Sequence, residues 1–437
     1  MRHLSICLAV LLSACPAPVE EEVVDREILP GVYRIDGLAT DLSYDDLAPV
    51  GDVVGDASFV SLGETVHTSG GYYQAKARLF RYLVEEKGFR AYAWESPWDD
   101  ALVASEYVQT CDGTSREALH SLFGVWWDPS VQDTLEWMCA WNQDHPDDPL
   151  YFFGWDIQQG ADDGIRLQAF LETGAPEVAS TLYAGIATCA GVGHPSMASF
   201  YGSADYLAYE NGQVSANDNT ACHDGLDAID AHIDANEAAL EAATSADEVF
   251  LARMSVISLG AYEDEMYLDP TSYVLSFEAR DEANAEVLLA WRDHFVPGQK
   301  VVIWAHNAHI GREWQSVHGW GQSTQFFDWQ GPRNTGYWLD QAVGDDYVPI
   351  GLASLEVHIN WGDFADPQVP RHADAVEVQL DALGEEYLFV DLDPAGEEPF
   401  FAPDTEYQLA MEWSVTADQF AGLFYLSESE AMTWVMR

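Results

Sequence analysis

Several apolar stretches of this chain end in residues that can exchange a proton. These residues are Glu64 and His67, Glu95, Asp156, and His306 and His309. In the first stretch, Ser61–His67, the Glu64 carboxylate lies three positions before His67, close enough in sequence for the two side chains to meet. A carboxylate can orient a neighbouring imidazole and raise its basicity, which is what a general base needs. The pattern therefore predicts a site for acid–base chemistry.

The chain lacks the short motifs that mark several other catalytic machineries. It contains no Gly-x-Ser-x-Gly elbow, which would present a nucleophilic serine, no Walker A loop and no Gly-x-Gly-x-x-Gly motif. Histidines supported by carboxylates, without such a nucleophile, suit the direct activation of water. The same side chains could instead hold a divalent metal ion, and the residue types alone do not choose between the two.

The elements that position these residues are predicted from hydrophobic patterning. Short β-rich apolar runs, typical of strands buried on both faces, lie at Ala57–Gly63, Arg90–Glu95, Leu150–Asp156, Lys300–Ala305, Tyr347–Ala353, Tyr387–Leu392 and Ala421–Leu426. Helical patterns lie between the early runs, at Tyr72–Glu86, Ser115–Phe123, Asp133–Asn142 and Ile165–Thr173. This alternation predicts an α/β fold with a mostly parallel central sheet flanked by helices. Chemistry in such sheets gathers beyond the carboxyl ends of the strands, so the ionisable residues should meet at one edge.

The stretch from 160 to 295 differs from its surroundings because it has few strand candidates. Helical patterns fill much of it, at Asp218–Ala243, Asp247–Met266 and Ser276–His294. We therefore predict a helical insertion or subdomain over 160–295. The α/β catalytic domain would consist of 31–159 and 296–437.

The overall charge of the chain excludes one class of partner. Its 437 residues include 18 Lys and Arg against 74 Asp and Glu, a formal net charge of −56. Such a surface repels phosphate backbones, so we expect no nucleic-acid partner. Hydrophobic residues make up 48%, which is enough to bury a core and excludes global disorder.

The first residues resemble an export signal. A basic start is followed by an apolar run from Leu4 to Leu12, which is too short to span a bilayer but typical of a signal peptide. The run ends in Leu-Ser-Ala before Cys15, the pattern of a bacterial lipoprotein signal. Residues 1–14 would be removed, Cys15 would carry lipid, and 15–30 would form a flexible tether to the cell envelope. Ordinary secretion is the alternative.

Four further cysteines would remain in the exported chain. They are Cys111, Cys139, Cys189 and Cys222. An even number in an exported protein indicates disulfides, and four cysteines allow three connectivities. Neighbourhood in sequence favours Cys111–Cys139 and Cys189–Cys222. The spacing does not suggest structural zinc.

A series of short segments between about residues 55 and 355 resembles the erythromycin esterase family, whose best-known members open the macrolactone ring of macrolide antibiotics. The segments are Gly63–His67, Ala75–Phe89, Ala91–Glu95, Thr134–Asn142 with Phe152–Gln158, Arg280-Asp281, Trp304–His309, and Asn334–Leu339 with Gly344–Tyr347. The resemblance implies a carboxylic ester hydrolase that needs no metal or other cofactor. It departs at Lys76, where the family has an arginine, so a two-pronged contact is lost there.

The resemblance also implies roles for individual residues. His67 would activate water, Glu64 would orient it, and Glu95, His306 and His309 would complete the catalytic set. Lys76, Asp156, Arg280 and Asn307 would bind the substrate, a small ester or lactone. We expect a monomer that contacts the membrane through its lipid anchor alone. Two alternatives stay open: a metal-dependent hydrolase with His67, Glu95, His306 and His309 as ligands, and a non-catalytic binding lipoprotein of the envelope.

Overall fold

The computed structural model of the chain describes residues 26–158, 160–187, 189, 220–267, 273–312, 333–360, 376–392, 407–408, 414–415 and 418–436. The strands of this part are β1 (Glu27–Leu29), β2 (Val32–Arg34), β3 (Phe59–Leu62), β4 (Ala91–Pro97), β5 (Tyr151–Asp156), β6 (Val301–Trp304), β7 (Tyr347–Val357), β8 (Tyr387–Asp391), β9 (Tyr407–Gln408), β10 (Ser414–Val415) and β11 (Gly422–Ser429). Nine of them form one sheet in the order β1-β2-β8-β11-β7-β3-β6-β4-β5, and β9 pairs with β10 separately.

The central part of the sheet is parallel. The pairs β11–β7, β7–β3, β3–β6, β6–β4 and β4–β5 are parallel, whereas β11–β8, β8–β2 and β2–β1 are antiparallel. The α/β class with a mostly parallel sheet, predicted from the sequence, is confirmed. Its antiparallel edge was not predicted, since strand direction depends on distant pairing and leaves no local pattern.

Helices cover the sheet. They are α1 (Ala48–Val54), α2 (Gly70–Lys87), α3 (Leu102–Thr110), α4 (Ser115–Ser121), α5 (Pro129–Asp144), α6 (Gly160–Gly174), α7 (Ala179–Ile186), α8 (Thr220–Ala243), α9 (Ala246–Tyr267), α10 (Tyr273–Phe295), α11 (Asn307–Ile310), α12 (Thr335–Val343) and α13 (Val376–Asp381). None of the helices in the described residues has the length and apolar character needed to cross a membrane.

Alternate residues of the central strands feed two apolar layers. In β6, Val302 and Trp304 belong to the layer under α2 and α5, while Val301 and Ile303 belong to the layer under α10. Strands buried in this way on both faces explain the nearly continuous apolar runs of the sequence. The layers hold the strands in a fixed register, so the loops that follow the strands begin at fixed positions.

The described part of 160–295 consists of helices α6 to α10 and their connections. A third apolar cluster joins α6 to α9, with Leu171, Ile229 and Leu259 fully buried in it. The division of the chain into a catalytic domain and an insertion stays a prediction. Both disulfides favoured by sequence neighbourhood, Cys111–Cys139 and Cys189–Cys222, are confirmed.

One prediction about local structure was wrong. The sequence predicts a flexible tether over 15–30, but Glu27–Leu29 is the edge strand β1, and Val32–Arg34 pairs with it and with β8. Strands this short carry too little alternation to be recognised. Helices α1, α3 and α12 were missed, since each has nine residues or fewer and a limited periodic pattern. Residues 1–25, with Cys15, lie outside the described residues.

Candidate active site

The candidate site lies beyond the carboxyl ends of β3, β4, β5 and β6. In the sheet register Leu62 and Trp94 are both paired with Trp304, so β3 and β6 end at the level of Trp94 in β4, which continues to Pro97. The segments Gly63–His67, Glu95-Ser96 and Ala305–His309 therefore start from one edge, as the sequence predicted. The rings of His67 and His306 lie with their centroids 5.3 Å apart, which confirms that segments distant in the chain converge here.

Glu64 and His67 form a hydrogen-bonded pair. Nδ1 of His67 lies 2.7 Å from Oε1 of Glu64. The Glu64 side chain is fully buried, whereas 26% of the His67 side chain is exposed. A carboxylate at Nδ1 favours the tautomer that carries its proton there, which leaves Nε2 as the basic nitrogen. The His67 and Trp126 rings are nearly perpendicular, with their centroids 4.9 Å apart, so an aromatic side chain borders the imidazole.

Lys76 supports Glu64 from inside the protein. Its Nζ donates to Oε2 of Glu64 at 2.8 Å and to the carbonyl of Ala305 at 3.1 Å, and it lies 4.2 Å from the Trp304 ring centroid. Burial lowers the pKa of the Lys76 ammonium to about 8, although the Glu64 carboxylate opposes this shift. Because the side chain is fully buried, the predicted substrate contact does not fit this position. Lys76 positions Glu64 instead.

His306 is held between backbone groups of its own segment and of the β3 loop. Its Nδ1 accepts the N–H of Ala308 at 3.0 Å, and its Nε2 lies 2.8 Å from the carbonyl of Thr65. Burial, together with the nearby His67 and His309 rings, lowers the pKa of His306 well below its usual value. His306 is thus a neutral imidazole with its proton on Nε2. We call Glu64, His67, Lys76 and His306 the base group.

A second set of charged residues adjoins the base group. Asp156, at the end of β5, receives two hydrogen bonds from Arg280 of α10, at 3.0 Å from Nε and 2.7 Å from Nη2. Burial alone would raise the pKa of Asp156, but the Arg280 guanidinium outweighs it and lowers that pKa. Burial opposes the charge of Arg280 as well, and the Asp156 and Glu265 carboxylates raise its pKa well above the usual value. Asp156 is therefore neutralised by Arg280, and the predicted direct substrate contact does not fit it.

His309 and Glu95 complete this set. Nδ1 of His309 lies 2.8 Å from Oδ2 of Asp281, and Nε2 lies 3.4 Å from Oε1 of Glu95. Burial would lower the pKa of His309, but the Asp281 and Glu95 carboxylates outweigh burial and the Arg280 charge and raise it. Glu95 also accepts the backbone N–H of His306 at 2.8 Å, which ties this set to the base group. We call Glu95, Asp156, Arg280, Asp281 and His309 the ion-pair group.

Two members of the surroundings were not given roles by sequence reasoning. Asp281 is fully buried, and its carboxylate binds His309 and the backbone N–H of Thr335. Burial raises the pKa of Glu265, near Arg280, to about 7. Asp281 lies in the Arg280-Asp281 segment that resembles the family, so the resemblance was a signal for it. Glu265 lies in a helix rich in acidic residues, where no pattern singles it out.

Asn307 has a different place from the one predicted. Its backbone N–H donates to the carbonyl of Glu64 at 2.8 Å, and its side chain exchanges two hydrogen bonds with the backbone of Leu352 in β7. A Cβ at Gly63 would lie 1.8 Å from Oδ1 of Asn307, so only glycine allows these loops to pack together. The Asn307 side chain is buried and joins the β6 loop to the sheet, in place of the predicted substrate contact.

The residues of the metal alternative do not form a ligand set in the part of the chain that is described. His306 uses both ring nitrogens in backbone hydrogen bonds, and His309 uses Nδ1 for Asp281. Among the described residues, three donor atoms within 4.8 Å of one another occur at Glu356, His358 and Glu428, a set that includes neither of these histidines. The donor chemistry of the candidate site therefore suits hydrogen bonding better than metal ligation.

Comparisons with known proteins identify a family for this chain. A profile of the family described as erythromycin esterase matches residues 84–434. The provisionally named hydrolase YbfO of Bacillus subtilis (strain 168) is 23% identical over 97% of this chain and 95% of its own length. Erythromycin esterase type II of Escherichia coli is 21% identical over 73% of this chain and 74% of its own length.

Solved structures show the same fold. A crystal structure of a succinoglycan biosynthesis protein has a TM-score of 0.71 at 16% identity, covering 92% of this chain and 95% of that one. A mutant of the erythromycin esterase EreC in its open conformation has a TM-score of 0.64 at 18% identity, covering 91% and 97%. The profile spans most of the chain and the fold agrees with it: the chain belongs to the erythromycin esterase family of hydrolases.

Proposed function

We propose that this protein hydrolyses a small-molecule ester or lactone, with His67 as the general base that activates water. The observation that carries the proposal is the pairing of His67 with the buried Glu64 at 2.7 Å while 26% of the His67 side chain stays exposed. A buried carboxylate fixes the tautomer, and exposure gives water access to the ring. The family supports hydrolysis, and the two named erythromycin esterases support an ester as the substrate class.

The proposed reaction needs no covalent enzyme intermediate. Nε2 of His67 takes a proton from water while the water oxygen bonds to the carbonyl carbon of the substrate. The tetrahedral intermediate then breaks its bond to the leaving oxygen, which takes the proton back from Nε2. The products are a carboxylic acid and an alcohol, or one hydroxy acid from a lactone. A positioned base of this kind contributes about 10²–10⁴-fold to the rate.

The ion-pair group would stabilise the negative charge that develops on the carbonyl oxygen. Arg280 and the His309 side chain are held in place by Asp156 and Asp281, so they need no reorganisation during the reaction. Loss of one such preorganised donor typically costs about 3–4 kcal/mol of transition-state stabilisation. Neutral His306 positions the β3 loop through its bond to the carbonyl of Thr65.

Replacement of the base tests the proposal. We expect the full chain to hydrolyse members of a panel of chromogenic esters and lactones in excess chelator, and His67→Gln to lose about 10²–10⁴-fold of that activity with an unchanged circular dichroism spectrum. His145→Gln, which alters an exposed histidine stacked on Trp141, is the matched control and should keep full activity.

The same assay separates the alternatives left open by the sequence. Activity that chelator abolishes and Mn²⁺ or Zn²⁺ restores would favour the metal-dependent hydrolase. Equal activity of His67→Gln and the parent would contradict a catalytic His67, and the absence of activity of either protein across the panel would favour the binding lipoprotein. The anchor at Cys15, the envelope location and the monomeric state stay predictions of the sequence.

A further inference from the structure

Three side chains outside the candidate site combine an imidazole with two carboxylates. Glu356 lies near the end of β7, Glu428 lies near the end of β11, and His358 follows β7 directly. One ligand atom from each of these residues can be chosen so that all three atoms lie within 4.8 Å of one another. The set belongs neither to the base group nor to the ion-pair group.

The sheet itself brings these side chains together. Glu356 and Glu428 are direct partners in the parallel register of β7 and β11, so they stand side by side. His358 lies two positions after Glu356, and successive side chains of an extended strand alternate in direction, so it returns to the same face. The N–H of His358 donates to the carbonyl of Ser429 at 2.9 Å, which continues the ladder and holds its backbone.

Distance and charge both suit a metal ion. Nε2 of His358 lies 3.3 Å from Oε1 of Glu428. Two ligand atoms of a tetrahedral zinc ion, each about 2.0–2.1 Å from the metal, are about 3.3 Å apart. A charge-assisted hydrogen bond would be shorter, at about 2.7–2.9 Å. Two carboxylates directly opposite each other in a sheet also repel, and a divalent cation would remove that repulsion.

We propose that Glu356, His358 and Glu428 bind a divalent transition-metal ion, with zinc as the best match, outside the candidate active site. One imidazole and two carboxylates are suitable zinc ligands, whereas Ca²⁺ and Mg²⁺ prefer oxygen atoms alone. Glu356 and Glu428 are exposed and His358 is partly exposed, so the ion can enter from solvent and water can complete its coordination.

The site is placed to brace the loop that carries His67. Beyond Glu428, the N–H of Met432 donates to the carbonyl of Thr68 at 2.9 Å. Beyond His358, the N–H of Asn360 donates to the same carbonyl at 3.3 Å. A metal that joins the ends of β7 and β11 would hold both donors, and with them the residue next to His67.

Zinc binding by the full chain tests the site. The protein is stripped with chelator, exchanged into metal-free buffer, and titrated with Zn²⁺ against a chromogenic zinc chelator. We expect the double variant Glu356→Gln/Glu428→Gln and the single variant His358→Gln each to bind the ion at least about tenfold more weakly, because each loses side chains that would bind the ion directly. Zinc should also raise the melting temperature of the parent and slow amide exchange at residues 66–70, and these variants should lose both effects.

Two controls place the ion. His294→Gln alters a surface histidine paired with the single carboxylate of Asp247, so it should bind zinc as the parent does. His67→Gln should do the same, since the proposed site does not include it. Equal zinc affinity in the parent and the double variant would overturn the proposal, as would loss of binding in His67→Gln or equal competition by Ca²⁺. Because binding is measured without a substrate, these outcomes are independent of the esterase assay.

Discussion

The base group and the ion-pair group lie next to each other but differ in whether their charges can change. The base group contains a histidine that can exchange a proton, whereas the ion-pair group holds buried, paired charges. In the base group, 26% of the His67 side chain is exposed, and no hydrogen bond within the described part of the chain engages its Nε2. In the ion-pair group, Arg280 and Asp156 are buried and joined by two hydrogen bonds. The first arrangement allows a proton to leave and return. The second holds its charges in fixed positions, as groups that stabilise a developing charge must.

The largest effect should come from breaking the ion-pair group. Arg280→Gln leaves the fully buried Asp156 without its partner, which typically costs about 3–5 kcal/mol. Arg253→Gln is the control, since this arginine bridges carboxylates that are 45–66% exposed and should matter by about 1 kcal/mol or less. Chemical denaturation of both variants measures the difference. Equal losses of free energy of unfolding would show that the ion-pair group contributes no more to stability than the ion pairs of Arg253 at the surface.

A smaller effect on stability should come from Lys76, the cation of the base group, and it should depend on pH. The pKa of Lys76 is about 8 in the folded protein because of burial, against 10.5 in the unfolded chain. Below pH 8 both states hold the proton. Between pH 8 and 10.5 the folded state releases it first, so stability rises with pH in this window.

Lys76→Arg keeps its charge and should lack that rise. We therefore expect the difference between the free energies of unfolding of the parent and of the variant to change by roughly 2–3 kcal/mol in favour of the parent between pH 8 and 10. Denaturation curves at several pH values measure the gain. A constant difference would mean that Lys76 stays protonated throughout.

The smallest effect should be an opposite pH dependence of two histidines on the same short segment. The folded-state pKa of His306 is lowered by burial, so its contribution to stability is present above about pH 6.5 and is lost as the pH falls. The pKa of His309 is raised by Asp281 and Glu95 despite burial, so its contribution is present below about pH 6.5 and is lost as the pH rises.

His306→Gln and His309→Gln separate these contributions. Relative to the parent, the first variant should cost less stability at acid pH, and the second should cost less at alkaline pH. Each slope should be at most about 1.4 kcal/mol per pH unit, the value for a difference of one bound proton. Slopes of the same sign would contradict the opposite directions of the two pKa shifts.

Much of the fold and of the site's composition could be predicted from the sequence, because both depend on local patterns. The strands β3 to β7 were found as apolar runs, and the ionisable residues at their ends meet at one edge. The antiparallel strand β8 was also found, but its direction and the strands β1 and β2 were not. Direction is decided by partners hundreds of residues away, which leave no mark on the local pattern.

The roles within the site were harder to predict than its members. Lys76, Asp156 and Asn307 were expected to contact the substrate, yet each is buried and bound to other residues. Residue type identifies a donor or an acceptor but does not say how its hydrogen bonds are used. That depends on three-dimensional packing, as the contact of Asn307 with β7 illustrates.

The Gly63–His67 loop depends on contacts with Asn307 and its neighbour His306, and this dependence affects when the loop can reach its native form. The carbonyl of Thr65 is bound by His306, a residue 241 positions further along the chain. While the segment with His306 has not yet been synthesised, the growing chain already contains the whole Gly63–His67 motif. Its loop then lacks this hydrogen bond. The Gly63–His67 loop should therefore reach its native form only when the segment with His306 is available to bind it.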